Sequence, residues 1–118
     1  MSPEGVVRAE LAAWGRRNID EIMSHYAPDA VWDNVPLGPA TGYDEIRKAS
    51  EDFLARMTTF EAEIVNIATN GNVVLTERID HTDFDGAPVR ARVMGAFEVE
   101  GDKITAWRDY FDLGSHTG

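Results

Sequence analysis

Three short turn signals, Asn70-Gly71, Asp85-Gly86 and Gly101-Asp102, cut the second half of this 118-residue chain into four stretches that read as strands. The stretches are Phe60 to Thr69, Val73 to Phe84, Val89 to Glu100 and Lys103 to Asp112. Asn-Gly and Asp-Gly accept the positive φ angles of tight hairpins, so consecutive strands joined in this way run antiparallel as a meander. A meander with one apolar face needs a cover, and the first half supplies helices. Ser2 caps a first helix with Pro3 at its first position, and Val7, Leu11 and Trp14 fall on one face. Asn18 caps a shorter helix carrying Ile19, Ile22 and Met23, which ends before Pro28. Ala30 to Asp33 reads as a short strand. The segment punctuated by Pro36, Gly38, Pro39 and Gly42 reads as a rim loop, being too proline-rich for a central strand. A third helix spans about Tyr43 to Met57, with Ile46, Ser50, Phe53 and Met57 on one stripe. The expected fold class is therefore α+β, one domain over residues 1–118, with a loose tail from Gly114 on. Helices that cover only part of a twisted sheet leave a pocket on its concave face.

Charge and composition remove several classes of function. With 21 acidic against 11 basic residues the net charge is -10, which repels a phosphate backbone or an anionic membrane surface. No nucleic-acid or membrane partner is expected. There is no cysteine, hence no disulfide, thiolate nucleophile or cysteine-ligated metal. The N-terminal residues lack the basic and apolar segments of a signal peptide, and the expected location is cytoplasmic. His81 to Gly86 imitates the start of a calcium loop, but its first position is His and its twelfth is Arg92, so it reads as a hairpin tip. His25, His81 and His116 show no metal-ligand spacing, and no glycine-rich nucleotide loop or Gly-x-Ser-x-Gly elbow is present. Neither a metal nor a cofactor is expected.

Alternation in the last strand puts Trp107, Asp109 and Phe111 on one face, so Asp109 lies between two aromatic side chains. A carboxylate so placed has either a hydrogen-bonding partner or a raised pKa, and both suit a general acid or base; an ordinary strand-face ion pair is the commoner outcome. Arg78 and Asp80 share a face about 7 Å apart along their strand. Hydrophobicity favours burying Leu75 and Ile79 and sending Arg78 and Asp80 to solvent, although alternation alone does not say which face is inward. Trp32 and Asn34 point together just before the rim loop.

Taken in order, Asn34-Val35-Pro36-Leu37, Thr76-Glu77-Arg78-Ile79-Asp80, Met94-Gly95-Ala96-Phe97 and Trp107-Arg108-Asp109-Tyr110-Phe111-Asp112 resemble the limonene-1,2-epoxide hydrolase family. The resemblance runs from about Ala30 to Leu113. It implies a cone-shaped barrel of the type shared with nuclear transport factor 2 and ketosteroid isomerase, with three N-terminal helices on a curved, mixed, mainly antiparallel sheet. It also implies that Arg78, Asp80 and Asp109 form a triad at the pocket floor, which reverses the solvent-facing reading of Arg78. In the family pattern Asp109 takes a proton from water, Asp80 protonates the epoxide oxygen, Arg78 holds both, and Asn34 helps to hold the water.

Trp32 occupies the position of a family tyrosine, and an indole N–H only donates where a phenol both donates and accepts. Either the water is held by Asn34 and Asp109 alone, or Trp32 narrows the pocket for another substrate. The resemblance places Leu37, Phe53, Met57, Ala91, Val93 and Phe111 in the pocket wall as substrate-binding residues. The function so implied is a cofactor-independent epoxide hydrolase that converts a small apolar epoxide and water to a vicinal diol, as a homodimer through the outer sheet face. The alternatives are an isomerase or polyketide cyclase on the same fold, or a binding module without catalysis.

Overall fold

The computed structural model describes residues Met1 to Leu113; the expected tail from Gly114 and His116 lie outside the described residues. Helix α1 (Pro3–Arg16) starts where the Ser2 hydroxyl accepts from the Gly5 amide at 3.0 Å, and it stops at Arg17, whose left-handed backbone turns its own N–H back onto the helix end. Helix α2 (Ile19–Ser24) is capped by the Asn18 side chain, which accepts from Glu21 at 3.1 Å. Helix α3 (Tyr43–Arg56) has no side-chain cap; the Glu45 carboxylate instead reaches back to the Thr41 amide at 3.0 Å.

The strands are β1 (Tyr26–Asn34), β2 (Gly38–Thr41), β3 (Phe60–Asn70), β4 (Val73–Phe84), β5 (Ala87–Glu100) and β6 (Lys103–Tyr110). They form one sheet in the order β2-β1-β6-β5-β4-β3. The meander occurs as the turn signals require. The turn between β4 and β5 has positive φ at both Asp85 and Gly86, the combination a two-residue type I′ connection demands. All neighbours pair antiparallel except β1 and β6, which run parallel, so the sheet is mixed.

Two readings of the sequence change. The proline-rich rim segment is not all loop: residues 38–41 form an edge strand on β1, with Pro39 opposite Asp33. At an edge the missing proline N–H faces no partner, so nothing is lost. Strand β1 also begins four residues earlier than the alternation predicts and passes through Pro28, because the pairing with β6 shifts register between Tyr26 and Val31 and needs no donor there. The sheet is curved and its edges, β2 and β3, do not join, so the expected barrel is an open one.

The three helices cover the concave face. Val6, Leu11, Trp14, Ile22 and Ile46 pack there against Val74, Phe97, Ile104 and Trp107. The convex face leaves Val65, Leu75, Met94 and Tyr110 exposed. Among the described residues no helix is long and apolar enough to cross a membrane.

Candidate active site

Register across four strands assembles the site. Thr76 on β4 lies opposite Gly95 on β5, Gly95 opposite Asp109 on β6, and Asp109 opposite Asn34 on β1. Residues in one such row project from the same face of a sheet. One step further along β4, Arg78 faces the same way and is 1% exposed, the reverse of what hydrophobicity predicts, while Leu75 is 44% exposed.

A buried guanidinium is tolerated only if its donors are used, and here all five are. Nη1 donates to Thr76 Oγ1 at 3.0 Å and to Asp109 Oδ1 at 3.1 Å. Nη2 donates to Asp109 Oδ2 at 2.8 Å and Asp80 Oδ2 at 3.0 Å, and Nε donates to Asp80 Oδ1 at 3.1 Å. Arg78 is thus bidentate to a carboxylate on each side. The Trp107 indole adds a further donor to Asp109 Oδ1 at 2.7 Å, and the Trp107 ring lies beneath the guanidinium at 5.9 Å.

The two carboxylates are not equivalent. Asp109 receives Arg78 and Trp107, whereas Asp80 receives Arg78 alone. Burial raises the pKa of Asp80 from its ordinary value, with Arg78 opposing the shift and the charge of Asp109 adding to it. Two neighbouring carboxyl groups in unlike environments can divide the roles of acid and base.

These groups open into a cavity of about 650 Å³, its mouth included. Asn34, Arg78, Asp80, Thr82 and Asp109 are its polar lining. Trp32, Leu37, Phe53, Met57, Ala91, Val93 and Phe111 all line it too, with Leu37 58% exposed at the mouth. Trp32 packs between Trp14, Phe53 and Trp107 at centroid distances of 5.5–5.6 Å, and its indole N–H is enclosed and without a partner. Sequence reasoning gave no role to Trp14, Thr76, Thr82, Phe84, Gly95 or the Trp107 indole N–H. Thr82 and Phe84 continue the alternation of Arg78 and Asp80 and were within its reach; Trp14, on α1 and six elements before β4 in the chain, was not.

Residues 1–116 match the model of the limonene-1,2-epoxide hydrolase catalytic domain. The chain belongs to the limonene-1,2-epoxide hydrolase family. As a member of that family it is an epoxide hydrolase. It is 36% identical to epoxide hydrolase EphG of Mycobacterium tuberculosis over 112 residues, covering 91% of this chain and 71% of that protein. A solved structure of an M. tuberculosis LEH-like epoxide hydrolase superposes with a TM-score of 0.84 at 32% identity, covering 95% of this chain and 84% of the other. A SnoaL-like polyketide cyclase fold from Shewanella denitrificans has a TM-score of 0.88 but 12% identity, covering 98% and 93% of the two chains, and speaks for the fold alone.

This limonene-1,2-epoxide hydrolase family member carries a second buried polar group. Glu10 on α1 is fully enclosed, with Oε1 at 2.9 Å from Nδ1 of His25. Burial is the largest influence and pushes its pKa up to about 7, against the pull of His25. Because the folded value lies above the ordinary 4.5, the folded state holds a proton that the unfolded chain has released. Stability is therefore present below about pH 4.5 and lost as pH rises through about 7, by about 3 kcal/mol for this one group. Denaturant titrations of wild type and Glu10→Gln between about pH 4 and pH 8 check this: the wild type is expected to lose stability relative to the variant, and parallel curves contradict the assignment.

The other histidine and acidic candidates have structural roles. His81 pairs with Glu63 at 2.8 Å, and Asp83 accepts from the Thr58 and Thr59 amides at 2.9 Å, which ties the β4–β5 tip to the loop before β3.

Proposed function

We propose that the protein opens a small apolar epoxide to a vicinal diol in one step, with Asp109 as base and Asp80 as acid. The observation that carries this reading is Arg78, buried and bidentate to both carboxylates in an otherwise largely apolar cavity, with Asn34 in register beside Asp109. In this mechanism a water held by Asn34 and Asp109 gives one proton to Asp109 as its oxygen attacks an epoxide carbon. The carbon–oxygen bond breaks and the departing oxygen takes the proton of Asp80. The product is the diol, and one proton passes from Asp109 to Asp80 by way of solvent to restore the enzyme.

The raised pKa of Asp80 supports its role as acid, and Arg78 keeps both carboxylates oriented without itself giving up a proton. Trp32 acts as wall rather than water ligand, since its N–H is enclosed. It narrows the cavity together with Leu37, Phe53, Met57, Ala91, Val93 and Phe111. An isomerase on this fold needs a donor for an enolate oxygen, and no tyrosine lines the cavity among the described residues.

Single-turnover reaction in heavy-oxygen water, with cycloalkene and terpene oxides as substrates, tests the mechanism. The diol is expected to carry the label; label in the Asp80 or Asp109 carboxylate would overturn the one-step route. The exposed Leu75, Met94 and Tyr110 on the convex face support a homodimer through that face. A dimer mass by light scattering is expected, and a monomer at micromolar concentration contradicts it.

A further inference from the structure

Glu10 takes no part in the acid and base chemistry, yet it is a carboxyl placed where the core calls for a leucine. Its helix face is otherwise Val6, Val7, Leu11, Ala13 and Trp14, all buried. Burying a carboxyl is costly unless other groups are organised around it, and a leucine would occupy similar space without that cost. What Glu10 organises is visible around it. His25, at the end of α2, holds one carboxyl oxygen. The Tyr26 hydroxyl and the Trp14 indole N–H are near neighbours of the carboxyl, and both act to lower its pKa against the effect of burial. Both of those donors are enclosed without a hydrogen-bond partner among the described residues, and so is the second Glu10 oxygen, Oε2, an acceptor on the same helix face as Trp14. Tyr26 stays protonated, because burial and the charges of Glu10 and Asp109 hold its pKa high, so it remains a donor.

Trp14 follows Glu10 by four residues, one helical turn, and therefore lies over the same face. Its ring lines the cavity and packs on Trp32 at 5.6 Å and on Phe60 at 6.0 Å. Trp32 in turn packs on Trp107, whose indole N–H donates to Asp109. An indole held only by van der Waals contact can pivot about its side-chain torsions; one whose N–H is drawn to a fixed carboxyl cannot. We propose that Glu10 is a positioning residue for the substrate pocket: clamped by His25, its carboxyl anchors the Trp14 indole and so fixes the shape of the wall that Trp14 and Trp32 present to the substrate.

This inference rests on the cavity being the epoxide site, and its test has one arm that does not. Glu10→Leu removes the acceptor, Glu10→Gln keeps an acceptor oxygen in nearly the same place, and Trp14→Phe removes the N–H while keeping a ring. With cyclohexene oxide as substrate, Glu10→Leu is expected to raise KM about tenfold with kcat within about twofold, and Glu10→Gln to restore most of the wild-type KM. Trp14→Phe is expected to raise KM as Glu10→Leu does, and the double variant to add little beyond either. Independently of turnover, the closely packed Trp14, Trp32 and Trp107 indoles should give an exciton couplet in circular dichroism. Glu10→Leu should weaken that couplet and Glu10→Gln preserve it. An unchanged couplet and KM in Glu10→Leu, or full additivity with Trp14→Phe, would overturn the proposal. A couplet that changes as expected in an enzyme that turns over no epoxide would leave the anchoring intact and refute the assignment of the cavity instead.

Discussion

Asp109→Asn is expected to lower kcat about a thousandfold or more, because the amide cannot take the proton of the attacking water. The structure adds a second consequence. Three donors converge on the Asp109 carboxylate, from Arg78 Nη1, Arg78 Nη2 and the Trp107 indole. An asparagine offers one acceptor oxygen, so its amide nitrogen would meet a donor in a buried site, and Arg78 would lose the counter-charge that Asp109 supplies. Stability should fall by about 2–4 kcal/mol along with activity. Asp80→Asn removes the proposed acid, and its amide nitrogen likewise meets an Arg78 donor, since both Asp80 oxygens accept from Arg78. Its loss of turnover should be large and its loss of stability smaller than that of Asp109→Asn, because Asp80 accepts two of these donors where Asp109 accepts three. Initial rates together with denaturant unfolding of both variants separate these outcomes; an Asp109→Asn enzyme that keeps a tenth of the wild-type rate would contradict the assignment of the base.

Gly95→Ala is the second large effect, and it involves a residue that touches no substrate. A methyl group at this position would lie 2.5 Å from Arg78 Nη1, 2.6 Å from Asp109 Oδ1 and 2.8 Å from Thr76 Oγ1. Those are the atoms of the network itself, and Arg78, fully enclosed and with every donor engaged, has no other place to go. The need is for space rather than for an unusual backbone angle: Gly95 lies within a regular strand and is not among the glycines with positive φ. Overpacking of this kind costs about 1–3 kcal/mol, and the loss of a buried pair adds to it. We expect turnover to fall at least about a hundredfold and unfolding to occur at lower denaturant. A fully active, fully stable Gly95→Ala protein would mean that Arg78 has more freedom than its hydrogen bonds allow.

Much of the fold was legible from local chemistry. Ser2, Asn18 and the Gly-containing turns act through their own backbone neighbours, so their effect does not depend on the rest of the molecule. Strand β2 was missed for the opposite reason: a Gly-Pro segment has little tendency to join a ladder of its own accord, and it becomes a strand only because β1 lies beside it. Resemblance to a known family named the residues around Arg78, and the sequence blocks that carry it include Gly95 without indicating why a glycine stands there. The reason appears only when β4, β5 and β6 are aligned. Glu10 offered less still, since an acidic residue in a helix reads as a solvated position.

Alternation along β4 sorts its side chains onto two faces, and nothing within the strand says which face is inward. Hydrophobicity points the wrong way, because it weighs Arg78 and Asp80 as isolated polar groups. Tertiary structure reverses the choice by adding partners from distant positions. Asp109 brings a second carboxylate from β6 and Gly95 on β5 leaves the empty space the guanidinium fills, while Thr76, two residues before Arg78, adds an oxygen from the same strand. Local sequence decides the faces, the turns and the caps, whose energetics are complete within a few residues. The burial of a charge is decided by how many donors and acceptors surround it, and that count exists only after the sheet has formed.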